Sequence, residues 1–280
     1  MSELSLYDRV ADETASIVIH RYSTSFGLAS RLLGSDIRQH VENIYALVRV
    51  ADEIVDGAAT EAGLDTVGAA RQLNELEQQT LDAIGFGFSS NLVVHAFART
   101  ARASNFGAEY VSPFFDSMRA DLSETEHDQA SFDKYVYGSA EVVGLMCLAA
   151  FVPSPSAELV NGARALGAAF QKVNFLRDLA ADFDALGRSY FPGVNVESFS
   201  DDDKNRLLDD IDDDLRMSAA VVPLLPASSR KAVALAQSLF TELSARLRKT
   251  PAAALRTTRV RVPNPVKARL ALAAAAGATP

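Results

Sequence analysis

The chain has 280 residues, of which 48% are hydrophobic, and its formal net charge is −9. This length and apolar content suffice for a buried core, which excludes a disordered chain. The acidic balance excludes a general nucleic-acid-binding protein, because affinity for phosphate backbones depends on clustered Lys and Arg, and the single cysteine excludes an internal disulfide.

Hydrophobic residues recur at helical spacing along the whole chain. Strand-like alternation is scarce, the loops are short and no repeat of solenoid length is present. The sequence therefore predicts an all-α protein with a single domain over residues 1–280, built as a helical bundle around one core. The predicted helices cover residues 5–20, 36–56, 66–84, 91–104, 110–121, 131–151, 156–185, 203–221, 228–248 and 264–276.

The ends of two of these helices carry boundary residues. Ser35 or Asp36 is the expected N-cap of the 36–56 helix, and Gly57 its expected stop. Gly187 is the expected stop of the 156–185 helix.

Membrane spans and targeting segments are not expected. No apolar N-terminal stretch resembles a signal peptide, and "LALAAAA" near the C-terminus is too short to cross a bilayer. One cysteine fits a reducing compartment, so we expect a cytoplasmic protein. The chain after Glu242 has no acidic residue, and this basic tail is expected either to meet anions or to be a solvated helix and loop.

The stretch "RVADEIVDG", residues 49–57, ends an apolar helix with three carboxylates. The C-terminus of a helix is the negative pole of its dipole, so acidic side chains are disfavoured there. Asp52 and Asp56 are four residues apart and share one face, close enough to reach one cation. The pattern predicts a cation that the sequence itself does not supply.

A second cluster repeats this arrangement on the 156–185 helix. Asn174, Asp178 and Asp182 follow at steps of four, and an arginine accompanies each cluster, Arg49 in the first and Arg177 in the second. Oxygen ligands beside guanidinium groups suit a phosphorylated ligand held through Mg²⁺. The alternatives are a solvated acidic surface and intrahelical salt bridges. The four histidines lack the spacing of a zinc site.

Two further patterns are set aside. The acidic run "DDIDDD", residues 209–214, points around its whole helix and is interpreted as a solvated segment. The stretch "GFGFSS" lacks the third glycine and the strand–helix context of a dinucleotide site.

Six blocks follow one another along the chain: "YSTSFGLASRLL", "RVADEIVDG", "FDSMRADL", "YVYGSAEVVGLM", "QKVNFLRDLAADFDALGRSYFP" and "RVRVPNPVK". In content and in order these blocks resemble the squalene and phytoene synthases. The resemblance implies an all-α fold of the isoprenoid (prenyl) synthase type around a central apolar cavity, with diphosphate sites near its mouth. Enzymes of this family join two prenyl diphosphates head to head through a cyclopropylcarbinyl diphosphate.

The resemblance also implies roles for individual residues. Mg²⁺, with Mn²⁺ as the alternative ion, would neutralise the diphosphate leaving group as the carbon–oxygen bond breaks. Either Arg261 or the neighbouring Arg259 would bind a diphosphate, and Arg261 is the preferred candidate. The implied metal ligands and catalytic acids are Asp52, Asp56, Asn174, Asp178 and Asp182, and the implied substrate-binding residues are Tyr22, Ser25, Arg49, Tyr135, Gln171, Asn174, Arg177, Tyr190 and Arg261.

Three positions depart from the family pattern. Ser139 and Glu141 stand where many relatives have alanine and glycine, and Glu53 stands where many have a second aspartate. None of these three departures removes the acidic pairs. A carboxylate at position 141 is expected either to alter metal binding or to point away from the cavity.

The resemblance is strongest to bacterial phytoene synthases, particularly in "YGSAEVVGLM". It implies Mg²⁺-dependent condensation of two geranylgeranyl diphosphates without NADPH, transient contact with a membrane surface and cooperation with downstream carotenoid enzymes. Squalene or dehydrosqualene synthesis from farnesyl diphosphate is the alternative. Non-catalytic relatives that assist complex assembly, and terpene cyclases or chain-elongating prenyltransferases, are alternatives of other classes.

Overall fold

A computed structural model of the protein describes residues 2–23, 25–186 and 189–277, and for Ser25 and residues 180–186 it describes the backbone only. These segments form helices, loops and one isolated bridge between Glu126 and Ser189, which confirms the predicted all-α class. The α-helices are α1 (Glu3–Tyr22), α2 (Ser25–Ser30), α3 (Ser35–Val55), α4 (Ala58–Glu61), α5 (Thr66–Phe86), α6 (Leu92–Ala103), α7 (Ala108–Ala120), α8 (Gln129–Val136), α9 (Val142–Phe151), α10 (Ala157–Leu186), α11 (Asp201–Val221), α12 (Ala227–Lys249), α13 (Ala252–Leu255) and α14 (Asn264–Ala275).

The segment predicted as one helix over 131–151 contains an irregular turn. A π-helical turn, Tyr137–Glu141, joins α8 to α9 without a loop. Gly138 in this turn packs against α7, where a Cβ atom would lie 2.2 Å from both the Pro113 carbonyl oxygen and Ser117 Oγ. This close contact requires glycine at position 138. The spacing of hydrophobic residues along the sequence does not predict the contact.

The start of α3 differs from the prediction. Gly34 is the N-cap, rather than Ser35 or Asp36, and no side chain caps the helix. The Gly34 N–H donates instead to the Ser228 carbonyl oxygen at 2.8 Å, at the beginning of α12. The helix ends at Val55, near the predicted stop at Gly57, whereas the predicted stop at Gly187 lies outside the described residues.

The buried side chains form two large clusters and one small one. The first cluster joins α1, α3, α5, α6, α7 and α9, and the second joins α2, α8 and α10–α14. The helix pair α9 and α10 is closely packed because Gly144 and Gly167 face backbone oxygens of the partner segment. A cavity lies where the three clusters meet.

The acidic run on α11 is more than the solvated segment that the sequence suggested. Lys172 of α10 donates to Asp210 at 2.6 Å and to Asp214 at 2.9 Å. Arg248 of α12 contacts Asp209 and Asp212. The run therefore supplies ion pairs that join three helices, a tertiary role that its own periodicity does not reveal. Throughout the described chain, no helix combines the length and apolar character that crossing a membrane requires.

Candidate active site

A cavity of about 590 Å³ runs along α10 between the clusters. Its lining residues on this helix extend from Leu159 to Asp178, a distance of about 28 Å at 1.5 Å per residue. One part of the lining is polar and carries both acidic clusters. The rest is mostly apolar, and burial there raises the pKa of Cys147 to about 12, so this thiol stays neutral.

The first acidic cluster lies at the C-terminal end of α3. Arg49 contacts Asp52, with Nη1 and Oδ2 3.3 Å apart, and it also pairs with Glu53. Arg49 Nε is buried and has no hydrogen-bond partner within the described part of the chain. Asp52, Asp56 and Arg49 line the cavity, whereas Glu53 accepts a hydrogen bond from the Ala58 N–H. The Glu53 side chain, at the position where the sequence departs from the family pattern, thus stabilises the turn between α3 and α4.

The charge environment of Asp52 is unusual. Burial, reinforced by the negative charges of Asp56 and Glu53, raises the pKa of the Asp52 carboxyl to about 6, although Arg49 opposes this rise. These acidic side chains also lie at the C-terminal end of α3, which is the negative pole of the helix dipole. Such a place favours a bound cation.

The second cluster lies on α10 and faces the same cavity. Asn174, Asp178, Arg177 and Gln171 all contribute to the lining. The Arg177 guanidinium contacts the Asp178 carboxylate, with Nη2 and Oδ2 2.5 Å apart. The predicted convergence of two acidic motifs on one cavity is thus present for Asp52, Asp56 and Asp178. The side chain of Asp182 lies outside the described residues.

The structure decides between the two C-terminal arginines. Arg259 lines the cavity and binds Asp178 through two contacts, Nε to Oδ1 at 2.7 Å and Nη2 to Oδ2 at 3.1 Å. Arg261, which the sequence analysis favoured, is exposed and does not line the cavity. The choice of Arg261 is corrected to Arg259. The two residues are two positions apart, and only the course of the backbone after α13 brings Arg259 to Asp178.

Tyr135 and Tyr190 meet at one buried carboxylate. Both hydroxyls donate to Asp121, Tyr135 to Oδ2 at 2.7 Å and Tyr190 to Oδ1 at 3.2 Å. All three residues line the cavity. The Tyr190 ring also stacks on Phe175, with ring centroids 3.9 Å apart. The sequence analysis missed Asp121, although the residue falls within the quoted block "FDSMRADL".

The remaining predicted residues lie as follows. Tyr22 is half-exposed and its ring packs on the Arg49 guanidinium, 4.6 Å from the ring centroid, outside the cavity lining. Ser25 begins α2, and its side chain lies outside the described residues. Ser139 lines the cavity, whereas Glu141 pairs with Arg164 at 2.6 Å and points away from it.

The polar end of the cavity has side chains that suit Mg²⁺, provided that phosphate oxygens of a bound substrate supply the remaining ligands. Among the described side chains, no three His, Cys, Asp or Glu residues are close enough to form a metal centre by themselves. Mg²⁺ is commonly held by one or two carboxylates together with phosphate oxygens and water. Asp52, Asp56, Asn174 and Asp178 supply oxygen donors from two helices, and the unpartnered Nε of Arg49 suits a bound anion.

Comparison with known proteins gives consistent matches. The family model described as squalene/phytoene synthase matches residues 19–265. The 15-cis-phytoene synthase of Enterobacter agglomerans is 28% identical over 240 residues, which are 79% of this chain and 80% of that enzyme. The 4,4'-diapophytoene synthase of Staphylococcus haemolyticus is 28% identical over 185 residues, 65% of this chain and 62% of that enzyme.

The overall fold matches a solved structure as well. A dehydrosqualene synthase in complex with a ligand superposes with a TM-score of 0.80 at 23% identity, covering 96% of each chain. This likeness confirms the predicted prenyl-synthase fold around a central cavity.

Proposed function

The chain belongs to the squalene/phytoene synthase family, and we propose that it condenses two geranylgeranyl diphosphates head to head to phytoene in a Mg²⁺-dependent reaction. The observation that carries this proposal is a single apolar cavity whose polar end gathers acids from α3 and α10 and arginines from three segments. A diphosphate head group and a long hydrocarbon chain require such a combination of surfaces.

Binding of the diphosphates falls to the arginines. Arg49 offers its unpartnered Nε, while Arg177 and Arg259 both lie at Asp178 and can turn to a phosphate oxygen. When bound at Asp52, Asp56, Asn174, Asp178 and Asp182, Mg²⁺ supplies Lewis-acid stabilisation of the leaving diphosphate.

The apolar part of the cavity protects the carbocations that ionisation produces. Phe26 and Phe170 line it with their ring centroids 5.6 Å apart, and Phe170 stacks on Phe240 at 3.7 Å. Aromatic faces attract a nearby positive charge and exclude the water that would quench an allylic cation.

The alternative substrate within this family is farnesyl diphosphate. The similarity to a 4,4'-diapophytoene synthase favours this second candidate, a squalene or dehydrosqualene synthase. The chain length accepted depends on side chains at the end of the cavity remote from the acids, among them Phe151, Leu159 and Val221. A non-catalytic assembly role is disfavoured, because such a protein has no need of acids and arginines at one cavity.

The proposed setting is the cytoplasm with transient contact at a membrane surface, because the product is a hydrocarbon. The exposed basic residues Arg256 and Arg261, before α14, are the candidate contact with anionic lipid. Delivery to downstream carotenoid enzymes belongs to the same proposal.

Product analysis tests the reaction directly. The purified protein is incubated with Mg²⁺ and either geranylgeranyl or farnesyl diphosphate, with and without NADPH. Mass spectrometry then gives the molecular mass of the extracted hydrocarbon. We expect a forty-carbon product without NADPH. A thirty-carbon product would assign the farnesyl reaction instead, with NADPH dependence separating squalene from dehydrosqualene. No product from either substrate would favour the non-catalytic role.

Proton binding at Asp52 predicts a pH dependence of Mg²⁺ affinity. Because the pKa of this carboxyl is raised to about 6 in the folded protein, the proton that Mg²⁺ must displace is held more tightly there than in the unfolded chain. Lowering the pH from 7 to 5 should therefore weaken Mg²⁺ binding about tenfold, while relieving the folded protein of unfavourable charge at this site.

Calorimetric titration of Mg²⁺ in the presence of inorganic diphosphate measures this dependence, and Asp52→Asn gives the part of it that protonation of the diphosphate itself causes. Asp210→Asn is the matched control, because this exposed carboxylate lies on α11, and it should keep the wild-type pH profile. An affinity that stays constant from pH 7 to pH 5 would contradict the role given to Asp52.

A further inference from the structure

Gly162 is a helical residue at the end of the cavity remote from the acids. It lies in α10, about 24 Å before Asp178 along the helix axis at 1.5 Å per residue, and both residues line the cavity. Glycine inside a helix is less favourable than alanine, because it loses more backbone freedom on folding and adds no side-chain packing. Its place in α10 therefore needs a reason from packing.

Val221, the last residue of α11, occupies the space beside Gly162. A Cβ atom at position 162 would lie 2.1 Å from Val221 Cγ2 and 3.2 Å from both Cβ and Cγ1 of the same valine. The isopropyl group thus lies directly on the backbone of α10. Val221 is 7% exposed and lines the same cavity. Gly162 therefore determines how far the Val221 side chain can withdraw from the cavity.

The other neighbours of Val221 leave it little alternative space. Leu148, Leu159 and Leu225 form the small hydrophobic cluster with Val221, and all of them are buried. A 3₁₀ turn, Val222–Leu224, follows α11 directly. Because protein interiors are close-packed, a Val221 side chain that is displaced from α10 can move only into the cavity.

Resting on the proposed function, we propose that the contact between Gly162 and Val221 sets the length of the hydrocarbon chain that the cavity accepts. With glycine at position 162 the valine withdraws onto α10, and the terminal isoprene unit of a geranylgeranyl chain occupies the space that this leaves. A side chain at position 162 would push the valine into that space and favour the shorter farnesyl chain. Gly162 and Val221 are thus specificity-determining residues at the end of the cavity opposite the diphosphates.

The test offers the enzyme an equimolar mixture of geranylgeranyl and farnesyl diphosphate with Mg²⁺. The initial rates at which the two are consumed, followed by mass spectrometry, give the ratio of their kcat/KM values. One methylene group too many for an apolar pocket changes such a ratio by about 10–200-fold. We therefore expect Gly162→Ala to lower the ratio of geranylgeranyl to farnesyl consumption by about tenfold or more.

Two further variants separate this role from a loss of stability. Adding Val221→Ala to Gly162→Ala removes both Cγ atoms and leaves Cβ, 3.2 Å away, so the double variant should return to within about threefold of the wild-type ratio. Asn161→Ala is the matched control, because Asn161 is exposed on α10 and lies outside the cavity lining, and it should keep the wild-type ratio. An enzyme that was merely destabilised would consume both diphosphates more slowly at an unchanged ratio.

Two results would overturn the inference while leaving the proposed function intact. One is a Gly162→Ala ratio within about twofold of wild type, and the other is a double variant that keeps the low ratio. If Gly162→Ala does not fold, Val221→Leu takes its place, because it adds one carbon atom to the same wall. It should lower the ratio, and an unchanged ratio would overturn the inference.

The wild-type ratio tests the proposed function separately. A wild-type preference for farnesyl diphosphate would overturn the proposed substrate. The inference then requires Val221→Ala to raise the relative consumption of geranylgeranyl diphosphate about tenfold, since the smaller side chain deepens the cavity, and an unchanged ratio would overturn it. Consumption of neither diphosphate by wild type would overturn both proposals.

Discussion

Asp52→Asn and Asp178→Asn are each expected to lower turnover by about 10² or more while the helical fold persists. Each change removes one carboxylate from a different helix at the polar end of the cavity. The effect should be large because stabilisation of the leaving diphosphate depends on Mg²⁺, and neutral amides hold this ion weakly. The fold should persist because neither side chain belongs to a hydrophobic cluster.

Turnover with the substrate that wild type consumes measures this effect, and circular dichroism checks the helical content. Asp210→Asn is the matched control, since it removes an aspartate that is 63% exposed and pairs with Lys172 on another surface of α10. Lys172 keeps its second partner, Asp214, in this variant, so Asp210→Asn should keep nearly full activity. A comparable loss in Asp210→Asn would mean that the acids had been chosen wrongly.

Gly138→Ala is expected to destabilise the protein by about 1–3 kcal/mol, and more if the backbone cannot move. The added Cβ would lie 2.2 Å from the Pro113 carbonyl oxygen and from Ser117 Oγ on α7. A serine side chain can rotate, whereas the backbone of α7 is held by its own packing. The added methyl group would therefore displace the π-helical turn away from α7. Tyr135, near the end of α8, would move with the turn.

The midpoint of urea unfolding measures this cost. Gly85→Ala provides the matched control, because Gly85 lies near the end of α5, is exposed and has no atom within 4 Å of the added Cβ. There the substitution should stabilise the helix by about 0.5–1 kcal/mol. Equal midpoints for Gly138→Ala and wild type would show that the π-helical turn accommodates a Cβ atom despite these short distances, and would contradict the prediction.

Sequence periodicity was a sound guide to the helices and to the acidic pairs. Residues three and four apart share a helix face regardless of the rest of the fold, and Asp52 and Asp56 both line the cavity, as their spacing predicts. The same local rule failed for the α11 acids. Their partners Lys172 and Arg248 are distant in sequence and become neighbours only when α10, α11 and α12 pack.

Asp121 and Arg259 show what lay beyond the reach of the sequence. Asp121 precedes Tyr135 by 14 residues and Tyr190 by 69, so no helical spacing connects the three. Arg259 reaches Asp178 across 81 residues, and its neighbour Arg261 carries an identical side chain. Only the course of the segment between α13 and α14 distinguishes the two arginines.

The sequence alone determined the helical class, the two acidic helix ends and the family resemblance, because helix formation and facing residues depend on neighbours within a turn or two. The tertiary structure decided which side chains line the same cavity, where α8 is followed by a π-helical turn and which arginine binds Asp178. Those features arise from packing between distant segments, whose contacts depend on shape and backbone approach as well as on residue type.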